Sequence, residues 1–182
     1  MSNKYKNKII TIPNILSLLR LAMIPIFVIC YIQKSNYRLT AIILVISGIT
    51  DVIDGIIARK YAMVSDFGKA LDPVADKLTQ LAMLFCLITR FPHMMFAFAF
   101  LLVKEVFTGI LGLIAIRKTK TVYSAKWYGK LTTVLLYGMM VIHLIWYNIP
   151  SVWSDSFIAI CIGCMLMSFV LYVRRYIKMI KG

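Results

Sequence analysis

Asp51 and Asp54 stand three residues apart, and Asp72 and Asp76 stand four apart, in a chain with only seven acidic residues among 182. On a helix either spacing sets both carboxylates of a pair on one face, about 5 to 6 Å from each other. Four carboxylates brought together on neighbouring helices repel unless cations neutralise them, and hard oxygen donors with access to water suit Mg²⁺ or Mn²⁺. Two such ions about 3.5 to 4 Å apart clamp the attacking and leaving oxygens of an in-line displacement at phosphorus. On position alone, the aspartates would instead pair with Arg59, Lys69 and Lys77 near an interface. The repeated spacing favours a metal site that handles a diphosphate.

The elements that must hold these residues are helices in a bilayer. Sixty-one per cent of the chain is hydrophobic, more than a soluble domain of this length can hide. Apolar windows long enough to cross about 30 Å of hydrocarbon fall at 14–33, 39–58, 72–90, 93–116, 129–148 and 155–173. The expected fold is an all-α polytopic membrane protein with six transmembrane helices. A single membrane domain over residues 1–182 is expected, with 1–12 a short cytoplasmic or interfacial segment. Residues 1–8 are polar and the next apolar run lacks a small-residue cleavage site, so no cleaved leader is expected.

Of the 21 Lys and Arg, fifteen fall on one side of these spans and only Lys34, Arg38 and Arg90 on the other. The excess of cations marks the cytoplasmic side. Both termini and the loop carrying the aspartate pairs should face it. A net charge of +14 is then read as attraction to anionic lipid and not to nucleic acid.

Within the aspartate segment, Asp72 precedes Pro73 and is expected to cap the third helix with proline at its first position. Gly68 would end the preceding loop in a turn. Gly55 and Ala58 lie on the turn after Asp54, where small side chains admit either a nucleotide or a packed neighbouring helix. Lys104 and Glu105 are sequence neighbours that point in different directions, so they are not simply each other's ion pair and one of them needs another partner. Lys126 and Lys130 suit either phosphate binding or an ordinary cytoplasmic loop.

Other polar residues read as structural. His93 and His143 lack companion ligands, and Cys30, Cys86, Cys161 and Cys164 each lie in an apolar run, as reduced thiols do. Trp127, Trp146 and Trp153 sit near helix ends as interfacial anchors. Gly109 and Gly112 suit close helix contact. Intramembrane carboxylates also line ion paths, so a small cation transporter is the reading from a different class. The broken helices and internal repeat that would favour it are not seen in the sequence.

In full, the segment reads Asp51-x2-Asp54-Gly55-x2-Ala58-Arg59-x8-Gly68-x3-Asp72-x3-Asp76. It resembles the complete signature of the CDP-alcohol phosphatidyltransferase family. Residues 12–20, Ile-Pro-Asn-Ile-Leu-Ser-Leu-Leu-Arg, resemble the opening of members that form phosphatidylglycerophosphate or cardiolipin, as does the stretch from Phe67 to Leu78.

The resemblance implies two divalent ions, Mg²⁺ or Mn²⁺, on Asp51, Asp54, Asp72 and Asp76, with Asp76 also the general base. It implies CDP-diacylglycerol bordered by Gly55, Ala58, Arg59 and Gly68, and a homodimer in the cell membrane with its site facing the cytoplasm. The acceptor it implies is glycerol 3-phosphate, held by Lys104, Lys126 and Lys130, or phosphatidylglycerol. Two departures bear on that choice. Lys104-Glu105 stands where the phosphatidylglycerophosphate-forming members show Arg-Glu, and Thr132 where they show a lysine. Lysine lacks the fork with which arginine grips phosphate.

Overall fold

The computed structural model describes residues 11–33, 35–60, 66–119, 127–146 and 148–181; the side chains at 12, 13, 52, 54, 55, 58–60, 66, 67, 69, 70, 119 and 181 lie outside that description. The described residues form six helices and no strand: α1 (Ile12–Ile32), α2 (Tyr37–Lys60), α3 (Asp66–Ile88), α4 (Met94–Thr119), α5 (Trp127–Ile145) and α6 (Ser151–Lys181). The expected all-helical architecture is present. By length and composition, α1, α4, α5 and α6 can cross a membrane. The other two each carry five charged residues, the four aspartates among them.

Two compact units divide the chain. One contains α1, α2 and α3 up to Cys86. Thr11 caps α1 by accepting the Asn14 amide at 3.4 Å. Pro25 sits inside α1, and Ser35, with φ at 46°, turns the chain into α2. Asn36 then caps α2 through its Oδ1, which accepts the Leu39 amide at 3.1 Å. The turn folds α2 back against α1.

The buried stripe of α2 runs Thr40, Leu44, Ser47, at spacings of four and three, and Asp51 is its next position. That of α1 starts with polar residues, Asn14, Ser17 and Arg20, and continues through Phe27 to Tyr31.

The start of α3 differs from expectation. The helix begins at Asp66, so Asp72 is no N-cap and Pro73 lies inside the helix. Proline there removes one backbone bond, to the carbonyl of residue 69. Packing on both sides of it carries the helix through: Gly68 is buried before it, and Ala75, Thr79 and Met83 form a buried stripe after it. Gly68 therefore belongs to a helix and not to a loop turn, and no described glycine has positive φ.

The second unit contains α4, α5 up to His143, and α6. Partners along α4 and α6 rise together in number, from His93 with Asp155 through Phe107 with Phe169 and Gly112 with Tyr176 to Lys118 with the Ile180 carbonyl, these four pairs being 62 to 64 residues apart and Phe100 also meeting Phe169. An offset that stays nearly constant means the two helices run parallel. A Cβ on Gly112 would only just clear Tyr176, whereas Gly109 faces open space and is not a close helix contact.

His143 is buried. Its Nδ1 lies 2.8 Å from the Met139 carbonyl and so carries the proton, leaving Nε2 to accept from the Ser154 hydroxyl at 3.0 Å. This ties α5 to α6, the packing role expected of it. The large apolar side chains left exposed, such as Val103, Val106 and Ile110 on one side of α4, suit contact with lipid.

Candidate active site

Asp51 and Asp72 are both held by α1. The fully buried guanidinium of Arg20 lies 2.5 Å from Asp51 Oδ1, and the Ser17 hydroxyl donates to Asp72 Oδ1. Ser17 and Arg20 are three apart and share a helix face, so one face of α1 orients one carboxylate from α2 and one from α3. Asp51 keeps 40% of its side chain exposed, which leaves it a free edge for a ligand. Asp51 also feels the negative charges of Asp76 and Asp72. Asp51 is therefore within electrostatic reach of both carboxylates of α3.

Asp76, one turn after Asp72 on α3, accepts from Gln80 Nε2 with both oxygens at 3.0 Å, and Lys77 Nζ lies 3.4 Å away. Lys77 also donates to Gln80 Oε1 at 3.4 Å. The bifurcated amide contact fixes the plane of the Asp76 carboxyl.

Ser17, Arg20 and Gln80 were not singled out by the search for chemistry in the sequence. Their signal was present, since Asn14, Ser17 and Arg20 form a polar row in an otherwise apolar helix, and Gln80 lies four after Asp76.

Hard carboxylate oxygens, electrostatically coupled and partly open, fit a divalent cation in donor chemistry. Among the described residues no three Asp, Glu, His or Cys side chains converge to hold an ion. The side chain of Asp54 lies outside the described residues, as do those of Ala58 and Arg59 and the surroundings of Gly55. The backbone places all four on α2 within eight residues of Asp51.

The acceptor-side candidates belong to the second unit. Lys104 is buried on α4 and its Nζ lies 2.7 Å from Glu105 Oε1, so the neighbours do form an ion pair, and Glu105 takes part in a further interaction besides. A buried ammonium needs a counter-charge, and the flexible lysine stem reaches round the helix to the adjacent carboxylate. Lys130 is exposed at the start of α5, and Lys126 lies outside the described residues.

Thr132 is buried, with Oγ1 2.8 Å from the Tyr128 carbonyl and 3.5 Å from the Cys164 carbonyl. It cements α5 to α6. A lysine there would have to be accommodated in that buried contact.

The family model for CDP-alcohol phosphatidyltransferases matches residues 10–175. A protein of Aquifex aeolicus (strain VF5) named CDP-diacylglycerol--glycerol-3-phosphate 3-phosphatidyltransferase is 29% identical over 177 residues, covering 93% of this chain and 97% of its own length. One of the same name from Rickettsia bellii (strain RML369-C) is 49% identical over 69 residues, which span 37% of this chain and 38% of that protein. A Streptomyces coelicolor protein named cardiolipin synthase (CMP-forming) is 38% identical over 79 residues, or 40% of this chain and 36% of its own. With the family model running from the start of α1 into the last turns of α6, the chain belongs to the CDP-alcohol phosphatidyltransferase family.

Proposed function

We propose that the protein transfers a phosphatidyl group from CDP-diacylglycerol to glycerol 3-phosphate, giving phosphatidylglycerophosphate and CMP. The observation that carries this reading is the pair of carboxylates, Asp51 and Asp72, held by one face of α1, in a chain similar over nearly its whole length to the Aquifex protein. In this reading an acceptor hydroxyl oxygen bonds to the diacylglycerol-bearing phosphorus, and the bond from that phosphorus to the CMP oxygen breaks. The hydroxyl proton passes to Asp76, whose carboxyl plane is set by Gln80. Arg20 and Ser17 keep Asp51 and Asp72 aimed.

Two divalent ions, Mg²⁺ or Mn²⁺, would be held by Asp51, Asp54, Asp72 and Asp76, and their chemistry is to neutralise charge developing on the diphosphate. Gly55, Ala58, Arg59 and Gly68 border the donor, and Lys104, Lys126 and Lys130 are the cations for the acceptor phosphate. All six helices cross the bilayer as one membrane domain, with both termini and the site on the cytoplasmic side of the cell membrane, because fifteen of the Lys and Arg collect there. The functional unit is a homodimer.

The second reading is cardiolipin synthesis with phosphatidylglycerol as acceptor. It is favoured by the pairing of Lys104 with Glu105 and by the buried Thr132, which leave fewer free cations for a phosphate. An acceptor panel separates the two: purified protein with Mg²⁺ and CDP-diacylglycerol is offered glycerol 3-phosphate, phosphatidylglycerol, serine or inositol phosphate. CMP release with glycerol 3-phosphate is expected. Release with phosphatidylglycerol alone would move the assignment to cardiolipin synthesis, and none with any acceptor would sink the transferase reading.

Arg20 gives a second test. Arg20→Met leaves Asp51 without its buried anchor, and CMP release is expected to fall about 10- to 100-fold, the scale of a misplacement near 1 Å. Arg20→Lys should recover part of it, with charge kept but fork lost. A fully active Arg20→Met enzyme would remove the positioning role.

A further inference from the structure

We propose that the last two turns of α6, together with the end of α4, form a docking surface for anionic phospholipid headgroups. The surface follows from helix length. From Ser151 to Ile180 α6 is 30 residues long, about 45 Å at 1.5 Å per residue, whereas hydrocarbon needs about 20 residues.

Aromatic rings show where the excess lies. Trp153 is exposed in the first turn of α6, and near the other end Tyr172 stacks on Tyr176 and meets Tyr128 edge-on at 4.7 Å. From Trp153 to Tyr176 the helix rises about 35 Å, close to one hydrocarbon thickness between two aromatic belts. The rings are locked there by close packing, since a Cβ on Gly129 would collide with the Tyr172 hydroxyl. Arg174, Arg175 and Lys178 therefore stand at the level of lipid phosphates.

At 3.6 residues per turn these three cations share an arc of about 100°. Phe169, Tyr176 and Ile180, which meet α4, lie on the opposite side. Arg174 and Lys178 are exposed, as are Arg117 and Lys118 at the parallel end of α4. Along the two helices the last acidic residues are Asp155 in α6 and Glu105 in α4, so the stretches that carry Arg117, Lys118, Arg174 and Lys178 hold no acid of their own. Lys118 is already turned onto the Ile180 carbonyl, which ties the two helix ends into one surface. Its charge complement in a bilayer is an anionic glycerophospholipid.

The test is lipid retention by the purified chain in detergent, counted by native mass spectrometry with phosphatidylglycerol and phosphatidylcholine in competition. The wild type is expected to retain phosphatidylglycerol preferentially, with the preference shrinking as salt rises from about 50 to about 500 mM. Combined Arg174→Gln, Arg175→Gln and Lys178→Gln should lower the preference by about fivefold per cation, on the order of a hundredfold together. Arg174→Lys with Arg175→Lys should keep it within about twofold, and Arg90→Gln, outside the patch, should leave it unchanged. Equal retention of the two lipids by the wild type, a preference insensitive to salt, or an undiminished preference in the triple glutamine variant would each overturn the proposal. Phosphatidylglycerol held as an acceptor would still be retained by the triple glutamine variant, so the variant series separates this surface from the acceptor assignment.

Discussion

Asp76→Asn is expected to lower CMP release by about 10² to 10⁴, the range supplied by a positioned general base, while leaving thermal unfolding within a few degrees of the wild type. Asparagine has the shape of aspartate and can still accept from Gln80 Nε2 through its one carbonyl oxygen, so the local hydrogen bonding survives in part. What disappears is the oxygen proposed to take the acceptor proton, and with it the negative charge beside Lys77. Lys77 is partly exposed, and solvent compensates for that loss at little cost. Initial rates under saturating donor, read beside a thermal melt of the same preparation, check the claim. A rate within threefold of the wild type would take Asp76 out of the base role.

Exhaustive chelation is expected to have the other large effect, reducing CMP release by about a thousandfold or more, with recovery on adding Mg²⁺ or Mn²⁺. Asp51 feels the like charges of Asp76 and Asp72, and a polarised diphosphate would add more negative charge to the same place. Arg20 offsets part of this for Asp51 alone. A readout besides activity is available, because a cation bound by the folded state raises stability by about 2.7 kcal/mol at a concentration of 100 Kd. Adding the metal should therefore raise the melting temperature of the wild type by several degrees and that of Asp51→Asn by much less. Full activity after chelation, with no thermal response to Mg²⁺, would remove the metals from the proposal.

Spacing was enough to show that Asp51, Asp54, Asp72 and Asp76 form two helical pairs, because i, i+3 and i, i+4 neighbours share a face whatever surrounds them. Apolar length was enough to show six helices, for the same reason of local geometry. Boundaries were less legible. Asp72-Pro73 has the form of a helix start, yet α3 begins a turn and a half earlier, since packing along the helix outweighs one lost backbone bond. The direct contact of Lys104 with Glu105 was not legible for a similar cause. Adjacent positions diverge on a helix, but burial forces a long side chain to find whichever charge it can reach.

What the sequence by itself determined is therefore the helical membrane class, the aspartate pairs and their family, all of which depend on spacing along one chain. What only the tertiary structure decided is which group holds which across helices: Arg20 on Asp51, Ser17 on Asp72, and Thr132 in the contact of α5 with α6. The first and second of these pairs join residues 31 and 55 positions apart. Nothing in their local spacing links them, and they meet only because the helices that bury their apolar stripes against one another bring them to the same level.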